Sequence, residues 1–182
     1  MKRRPKRFLP LIFAFPGFVL VVLILTGTLR LYRVPTRSMS PTLIPGDCVF
    51  SIRQFGSRNG FHRGQIVVFQ PPTDPKSPNI KRITALPGDR IEILDGHLAV
   101  NGALLKSPAG LNSSPALPLK PLPTGCRRIS FPLTVPEGHV FLMGDNYTNS
   151  LDSRYFGPVP IGSITHAPKF IVLPPGRFGR LD

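Results

Sequence analysis

Proline and glycine are spread along almost the whole of this 182-residue chain, and they limit what it can fold into. There are 23 prolines and 17 glycines, and a proline inside a helix removes a hydrogen bond and clashes with the preceding turn. Beyond residue 30, no segment keeps a helical apolar period for more than about two turns. The chain therefore predicts short strands joined by turns within one modest domain.

Several segments have the apolar and β-branched composition that is typical of strands. They are Asp47–Ile52, Gln65–Gln70, Ile80–Ala85, Asp89–Leu94, His97–Val100, His139–Met143 and Phe170–Leu173. Asp95-Gly96, between two of these segments, predicts a tight hairpin turn. Residues 103–128 are rich in proline and serine without any period, which predicts a surface excursion. The expected fold class is mainly β, with small antiparallel sheets.

One segment near the N-terminus departs from this pattern. The 22 residues from Phe8 to Leu29 carry no charge, and this is about the length of a helix that crosses a hydrocarbon core. Five basic residues lie within the first seven, which favours a cytoplasmic N-terminus. We therefore expect a basic N-terminus at residues 1–7, a single transmembrane anchor at 8–29 and an exported β-domain at 30–182. A cleavable signal peptide is the alternative, but the segment ends Thr-Gly-Thr-Leu-Arg without an Ala-x-Ala site.

The charge of the chain indicates anionic partners. The formal net charge is +14, and a surplus of this kind favours nucleic acid or anionic lipid headgroups. The sequence has no RNA-binding signature, zinc-finger spacing or basic helix that would specify nucleic acid. We therefore expect membrane lipid, and not nucleic acid, to be the anionic partner.

The cysteines and histidines do not indicate a metal site. Cys48 and Cys126 form no CxxC pair and have no metal-ligand spacing with the four histidines. Cys48 precedes Val49 in a predicted strand and Cys126 follows a loose loop, so we expect two free thiols. No metal and no cofactor are predicted.

Three segments carry groups that could perform chemistry. They are VPTRSMSPTL at residues 34–43, IKRITALPGDR at 80–90 and MGDNYTNSLDSRYFG at 143–157. Taken singly, Ser38 in the first segment could be an ordinary turn residue, and Lys81 in the second an exposed strand lysine. A lysine between apolar neighbours can instead be desolvated, which lowers its pKa and makes it a possible general base. The third segment is dense in hydrogen-bonding side chains that could fix the geometry of a neighbouring site.

Other hydrolase arrangements fit the sequence poorly. There is no Gly-x-Ser-x-Gly elbow, and no paired carboxylates suggest glycoside chemistry. The histidines lie outside the three segments and are predicted to be surface or turn residues; they are His62, His97, His139 and His166.

In this order behind an apolar N-terminal segment, the three motifs resemble those of the bacterial type I signal peptidases, which are serine–lysine proteases. Ser38-Met39-x-Pro41-Thr42-Leu43 resembles the family's nucleophile box, and Lys81-Arg82 with Leu86-Pro87-Gly88-Asp89 its lysine box. Gly144-Asp145-Asn146 and Asn149-Ser150-x-Asp152-Ser153-Arg154 resemble its C-terminal box. The resemblance covers roughly residues 8–160, and several boxes in order are far more specific than any one of them.

The resemblance implies a catalytic role for several residues. Ser38 would be the nucleophile and Lys81 the general base. The Ser38 backbone N–H and the Thr36 hydroxyl would stabilise the oxyanion, and Ser150 would hydrogen-bond and orient the lysine. The ion pairs implied are Asp145 with Arg82 and Asp152 with Arg154.

The resemblance also implies the substrate and the location. Val34, Met39, Leu43 and Ile80 would line the S1 pocket, and Tyr32, Val34, Val49, Val68 and Ile80 the S3 pocket. Such pockets would admit small residues at positions −1 and −3 of a preprotein signal peptide. The implied enzyme is a monomeric serine endopeptidase of the bacterial inner membrane, with its catalytic domain on the extracytoplasmic side.

Three alternatives remain open at this point. One is a specialised peptidase that matures a conjugative pilin or another single client. A second is a non-catalytic, membrane-anchored β-module descended from a peptidase. The third is a self-cleaving serine–lysine repressor, which the apolar segment and the missing DNA-binding motif disfavour.

Overall fold

The computed structural model describes residues 9–54, 60–105 and 129–181 of the chain. Its strands are β1 (Leu29–Arg33), β2 (Cys48–Arg53), β3 (Ile66–Phe69), β4 (Asn79–Ala85), β5 (Arg90–Leu94), β6 (His97–Val100), β7 (Ala103–Leu104), β8 (Leu133–Thr134), β9 (His139–Met143), β10 (Val159–Pro160), β11 (Ile164–Leu173) and β12 (Gly179–Arg180). The helices are α1 (Leu9–Leu25) and α2 (Ser153–Phe156), with single 3₁₀ turns at Tyr147–Asn149, Ile161–Ser163 and Pro175–Arg177.

The strands form two antiparallel sheets, which confirms the predicted mainly β fold class. The larger sheet has eight strands in the order β1-β2-β11-β3-β4-β9-β10, with β12 paired to β11. The smaller sheet has four strands in the order β7-β6-β5-β8. Buried side chains from both sheets, including Ala85, Ile91, Leu98 and Phe141, form one cluster, so the two sheets share part of their core.

The predicted hairpin turn is confirmed. Leu94 of β5 pairs with His97 of β6, and the two residues between them, Asp95 and Gly96, have φ angles of 50° and 78°. A two-residue turn with both φ angles positive matches the right-handed twist of the strands it joins. The Asp-Gly pair fits because both residues tolerate the left-handed region better than most.

The apolar N-terminal segment is helical over a shorter range than predicted. Helix α1 has 17 residues and ends at Leu25, because Gly27, at a φ of +68°, turns the chain. Leu29, predicted to be the last helical residue, instead begins β1 and pairs with Ile52 of β2. Across residues 9–54, 60–105 and 129–181, no helix combines the length and the apolar character that a membrane crossing requires.

The structure corrects one further prediction and covers two others only in part. The last strand begins at Ile164, six residues before the predicted Phe170, and its bulges at Pro168 and beyond explain why the pattern is irregular. Of the predicted excursion at 103–128, Ala103–Leu104 form the edge strand β7, and residues 106–128 lie outside the described ranges. Cys48 is a half-buried free thiol, whereas Cys126 also lies outside those ranges.

Candidate active site

Ser38 and Lys81 are distant in sequence but adjacent in the fold. Ser38 lies in the loop between β1 and β2, Lys81 lies in β4, and the Lys81 Nζ is 2.7 Å from the Ser38 Oγ. Lys81 is only 3% exposed. Burial lowers the pKa of Lys81 from 10.5 to about 8, although the nearby Asp152 carboxylate acts in the opposite direction. A buried amine with this pKa can accept a proton from the serine hydroxyl near neutral pH.

The alternation of strand β4 explains why Lys81 is buried. Side chains at every second position of a strand share a face, so Lys81 lies on the same face as Ile83 and Ala85, which are both fully buried. The opposite face carries the less buried Ile80 and Arg82. The lysine therefore occupies a core position of an apolar strand.

Thr36 lies beside the nucleophile. Its side chain is exposed, and its hydroxyl donates a hydrogen bond of 3.2 Å to the Ser38 Oγ. A hydroxyl rotates freely about its Cβ–Oγ bond, so this donor is available to a second acceptor close to Ser38.

Two ion pairs flank the Ser38–Lys81 pair. Arg82 donates two hydrogen bonds to Asp145, from Nε to Oδ1 at 2.9 Å and from Nη2 to Oδ2 at 2.7 Å. Arg154 binds Asp152 in the same two-pronged manner, with both distances at 2.8 Å. The Asp152 carboxylate also accepts a hydrogen bond from the Gly144 N–H at 3.1 Å. Asp152 thereby connects Gly144, near the start of the segment 143–157, with Arg154, near its end.

A small cleft of about 40 Å³ opens next to Ser38. The residues around it come from β1, the loop after it and the start of β4; they are Tyr32, Arg33, Val34, Pro35, Thr36, Ser38, Met39, Pro78, Asn79 and Ile80. Four residues predicted for the substrate pockets, Tyr32, Val34, Met39 and Ile80, are among them. The other three, Leu43, Val49 and Val68, are fully buried and lie outside this lining.

Residues 7–173 match the family described as signal peptidase, peptidase S26. The chain belongs to this family.

Two relatives identified by sequence agree with the assignment. The chain is 36% identical over 144 residues to mitochondrial inner membrane protease subunit 1 of Mus musculus, covering 79% of this chain and 69% of that protein. It is 33% identical over 138 residues to signal peptidase I P of Bacillus subtilis subsp. natto, covering 75% of this chain and 72% of that protein. A crystal structure of a signal peptidase I from Enterococcus faecalis V583 is 31% identical, with a TM-score of 0.42 over 58% of this chain and 94% of that one. The signal peptidases of the S26 family are serine endopeptidases, and this chain belongs to the same enzyme class.

Within this S26 peptidase, the residues that hold Ser38 in place include two that the sequence analysis did not assign to the site. The Asn146 N–H donates to the Ser38 carbonyl at 3.0 Å, and the Asn146 side-chain amide donates to the Arg37 carbonyl at 3.1 Å. A Cβ added to Gly144 would overlap the Ser38 carbonyl oxygen and the Ser150 Oγ. In the sequence, the Gly-Asp-Asn run was the feature that could have pointed to these two residues. A glycine is required where two backbone segments approach closely, because any larger residue would clash.

Ser150 is close to Ser38 and Lys81, which we call the dyad. It does not form the hydrogen bond to Lys81 that the resemblance to the signal peptidases implied. It is 8% exposed, and its Oγ is buried without a hydrogen-bond partner among the described residues. The predicted hydrogen bond between Ser150 and Lys81 is therefore not formed in this structure. An unpaired buried hydroxyl is costly, and this one remains available to a neighbouring donor or acceptor.

His166 corrects the prediction that the histidines are surface or turn residues. It lies in β11 and is 4% exposed. Its ring lies between two groups, with Nδ1 at 3.0 Å from the Tyr32 hydroxyl and Nε2 at 3.0 Å from the Gly27 carbonyl. Burial lowers the pKa of His166, so the ring supports the cleft residue Tyr32 in its neutral form.

The buried Asp152–Arg154 pair leads to a stability prediction. The Arg154 side chain is 2% exposed and Asp152 is fully buried, so Arg154→Ala leaves a buried carboxylate without its two-pronged partner. We expect the free energy of unfolding to fall by about 3–5 kcal/mol, measured by thermal and denaturant unfolding. The matched control is Arg90→Ala, because the Arg90–Glu92 pair is largely exposed and such pairs contribute about 0–1 kcal/mol. If the free energy of unfolding fell equally in the two variants, the buried pair would contribute no more to stability than the exposed pair, and the prediction would be wrong.

Proposed function

We propose that this S26 peptidase removes N-terminal signal peptides from exported preproteins, with Ser38 as the nucleophile and Lys81 as the general base. The observation that carries the proposal is the 2.7 Å approach of the Lys81 Nζ to the Ser38 Oγ. A serine hydroxyl is a weak nucleophile unless a neighbouring base accepts its proton. Lys81 suits that role because its burial keeps a fraction of the amine neutral.

The proposed reaction proceeds through an acyl-enzyme. As the Ser38 Oγ bonds to the scissile carbonyl carbon, its proton moves to the Lys81 Nζ. The resulting Lys81 ammonium then donates that proton to the leaving amine while the peptide C–N bond breaks. A water molecule next attacks the ester carbonyl and loses a proton to Lys81. As the ester C–O bond breaks, the Lys81 ammonium returns that proton to the Ser38 Oγ, which restores Ser38 and the neutral amine and releases the signal peptide's carboxyl group, which then ionises in water.

The developing oxyanion requires hydrogen-bond donors that are already in position. We assign this role to the Ser38 backbone N–H and to the Thr36 hydroxyl. In the structure the Thr36 hydroxyl donates to the Ser38 Oγ. Once that oxygen has become part of the ester, the hydroxyl is free to rotate toward the oxyanion. Ser150, whose Oγ is buried and unpaired within the described residues, is assigned to orient the Lys81 amine when it becomes an ammonium.

The cleft beside Ser38 supports a preference for small residues. Its apolar members Val34, Met39 and Ile80 leave only about 40 Å³, so an alanine methyl group fits better than a branched or aromatic side chain. We assign these residues to S1, and Tyr32, Val34 and Ile80 to S3. Leu43 and Val49 belong to the buried cluster that contains Val34 and Met39, and Val68 pairs with Ile80 in the sheet. These three residues are assigned the role of setting the position of the lining.

We further propose that the apolar segment holds the enzyme at a membrane, with residues 1–7 cytoplasmic and the catalytic β-domain at residues 30–182 on the extracytoplasmic side of the bacterial cell membrane. Two observations support this arrangement. Five basic residues lie within the first seven, and helix α1 exposes large apolar side chains such as Phe18 at 66% and Leu25 at 80%. Anionic lipid suits the +14 charge, and we propose that the enzyme acts as a monomer.

The proposed specificity predicts a cleavage pattern. Purified protein in detergent should cut a preprotein at the end of its signal peptide when alanine occupies positions −3 and −1. Replacing the −1 alanine with phenylalanine should lower kcat/KM by about 100-fold or more, because the side chain must overlap the walls of a small, tightly packed pocket. The mass of the released mature protein locates the cut. Uncut preprotein, or equal rates for alanine and phenylalanine at −1, would contradict the proposed function.

A further inference from the structure

Hydrogen bonds join the two ends of the loop that carries Ser38. We call residues 34–47, which connect β1 to β2, the nucleophile loop. The Val34 N–H donates to the Asp47 carbonyl at 2.8 Å, and the Gly46 N–H donates to the Val34 carbonyl at 2.9 Å. The two ends of the loop therefore form one hydrogen-bonded unit, and Ser38 lies between them.

A turn at Ile44–Asp47 forms the C-terminal end of the nucleophile loop. Gly46 has a φ of +96°, which favours glycine, and the Asp47 N–H donates to the Ile44 carbonyl at 3.1 Å. The Asp47 carboxylate accepts a hydrogen bond from the Ile44 N–H at 2.9 Å. Asp47 is fully buried, so its charge needs a partner.

That partner is Arg177, which comes from the other end of the chain. Its Nε donates to the Asp47 Oδ1 at 2.8 Å and its Nη2 to the Asp47 Oδ2 at 3.0 Å. The same Nη2 also donates to the Thr42 carbonyl at 3.1 Å. Arg177 thus holds the nucleophile loop at two points, with the two-pronged geometry that only a guanidinium provides.

Thr42 connects this contact to the general base. Its carbonyl is held by Arg177, while its hydroxyl donates to the Asp145 Oδ2 at 2.6 Å. Asp145 in turn pairs with Arg82, the residue after Lys81. Thr42, four residues after Ser38, is therefore linked through Asp145 to the strand that carries Lys81, and it is also bound directly by Arg177.

The segment that presents Arg177 is itself anchored. Strand β12 pairs with β11 through Phe170 and Arg180, and Leu181 packs into the cluster that contains Met39 and Leu43. The match to the S26 family ends at residue 173, so this anchored segment lies beyond the residues that establish the family.

We propose that Arg177 is a positioning residue for the nucleophile, which holds Ser38 at its distance from Lys81 through Asp47 and Thr42. The inference rests on the proposed serine–lysine mechanism. The side-chain hydrogen bonds of Arg177 run to Asp47 and Thr42, and Arg177 is not among the residues that line the cleft. Its removal should therefore affect the reacting geometry more than the binding of the signal peptide.

The chain offers a matched control. Leu86–Asp89 repeats the apolar-Pro-Gly-Asp sequence of Ile44–Asp47, and the Leu86 N–H donates to the Asp89 carboxylate at 2.7 Å. Asp89 is 7% exposed and is bound by Arg63 in a two-pronged contact. This second turn joins β4 to β5, and within residues 9–54, 60–105 and 129–181 its side-chain hydrogen bonds run to Arg63 and Asn101. Arg63→Ala therefore removes the same kind of interaction from a turn that does not carry Ser38.

The test compares Arg177→Ala with Arg63→Ala in the preprotein assay, well below the melting temperature of each variant. We expect Arg177→Ala to lower kcat by about 10- to 100-fold with KM changed by less than about threefold, as misplacement of a reacting group does. Arg63→Ala should lose stability but keep a kcat close to that of the wild type. Arg177→Lys, which keeps the charge and loses the two-pronged contact, should have an intermediate kcat.

Several outcomes would overturn the inference. A wild-type kcat in Arg177→Ala, a loss confined to KM, or equal losses of kcat in Arg177→Ala and Arg63→Ala would each do so. If Arg177→Ala does not fold, Arg177→Lys decides, and an unchanged kcat in that variant counts against positioning. Because wild type and Ser38→Ala are assayed alongside, failure of this inference is distinguishable from failure of the proposed function, in which the wild type itself would not cleave.

Discussion

The Ser38→Ala variant is expected to fold normally and to cleave a preprotein about 10⁴- to 10⁶-fold more slowly than the wild type. The expected loss is large because, in the proposed mechanism, the hydroxyl oxygen bonds to the scissile carbonyl carbon, and no other group can take its place. The fold should tolerate the change, since the loop is held by its backbone contacts to Asn146 and by the buried side chain of Met39. Quantitative mass spectrometry of the mature product measures the rate, and thermal unfolding measures the stability.

A second serine in the same loop provides the control for this variant. Ser40 is two residues further on, and its hydroxyl makes a long 3.4 Å hydrogen bond to the Leu43 carbonyl. Ser40→Ala should therefore keep close to wild-type activity. Substantial cleavage by Ser38→Ala, or a comparable loss in Ser40→Ala, would remove Ser38 from the role of nucleophile.

Four strands of the larger sheet, β2, β3, β4 and β9, were predictable from the sequence, because their apolar composition is a local signal. His139–Met143 has the predicted bounds, β3 is shorter than predicted by one residue at each end, and β4 begins one residue earlier than predicted. β1 was missed because Leu29–Arg33 contains two arginines and directly follows an apolar helix. Its status as a strand depends on pairing with β2, which is a tertiary contact.

The dyad itself could be named only through the resemblance to a family. No periodicity connects Ser38 to a lysine 43 residues away, and either residue alone has an ordinary structural explanation. The sequence left two possibilities for Lys81, an exposed strand lysine or one desolvated between apolar neighbours, and the structure shows the burial that lowers its pKa. The extent of that burial depends on the packing of the third motif segment against the strand.

The details of the cleft were the least predictable part of the site. Val68 alternates with Val67 and Phe69 along β3, but all four residues of that strand are buried, so alternation does not reveal which side chains reach the surface. The role of Arg177 was equally hidden, because it depends on the return of the chain end to a turn 130 residues earlier. Such contacts follow from topology and not from local sequence pattern.

The pH dependence of cleavage should have an ascending limb centred near pH 8. A lysine in water has a pKa of about 10.4, so at pH 7 about one amine in 2,500 would be neutral. Burial lowers the pKa of Lys81 to about 8, which leaves about one in ten neutral at pH 7. The base must be neutral to accept the Ser38 proton, and kcat/KM therefore rises as the pH increases through the pKa and levels off above it.

Substitutions of Lys81 test whether that limb belongs to this amine. Lys81→Ala removes the base, and Lys81→Arg replaces it with a guanidinium that does not lose its proton in the working range. Both variants are expected to lose about 10⁴-fold or more in kcat/KM and to show no ascending limb near pH 8. Lys81→Arg is the sharper of the two, because it keeps the charge of an ammonium while removing only the ability to act as a base.

Histidine replacement separates this mechanism from one that uses an imidazole base. An unperturbed histidine titrates near pH 6.5, and burial lowers the pKa of His166, so a histidine base would place the limb at or below that value. Replacing His62, His97 and His139 together with glutamine, and His166 separately with asparagine, should leave the limb near pH 8 unchanged. The His166 variant is made separately because that ring supports Tyr32 at the cleft and its loss is expected to raise KM. A limb near pH 6.5 that disappears in either histidine variant would contradict the serine–lysine mechanism, because kcat/KM would then follow the titration of an imidazole and not that of the Lys81 amine.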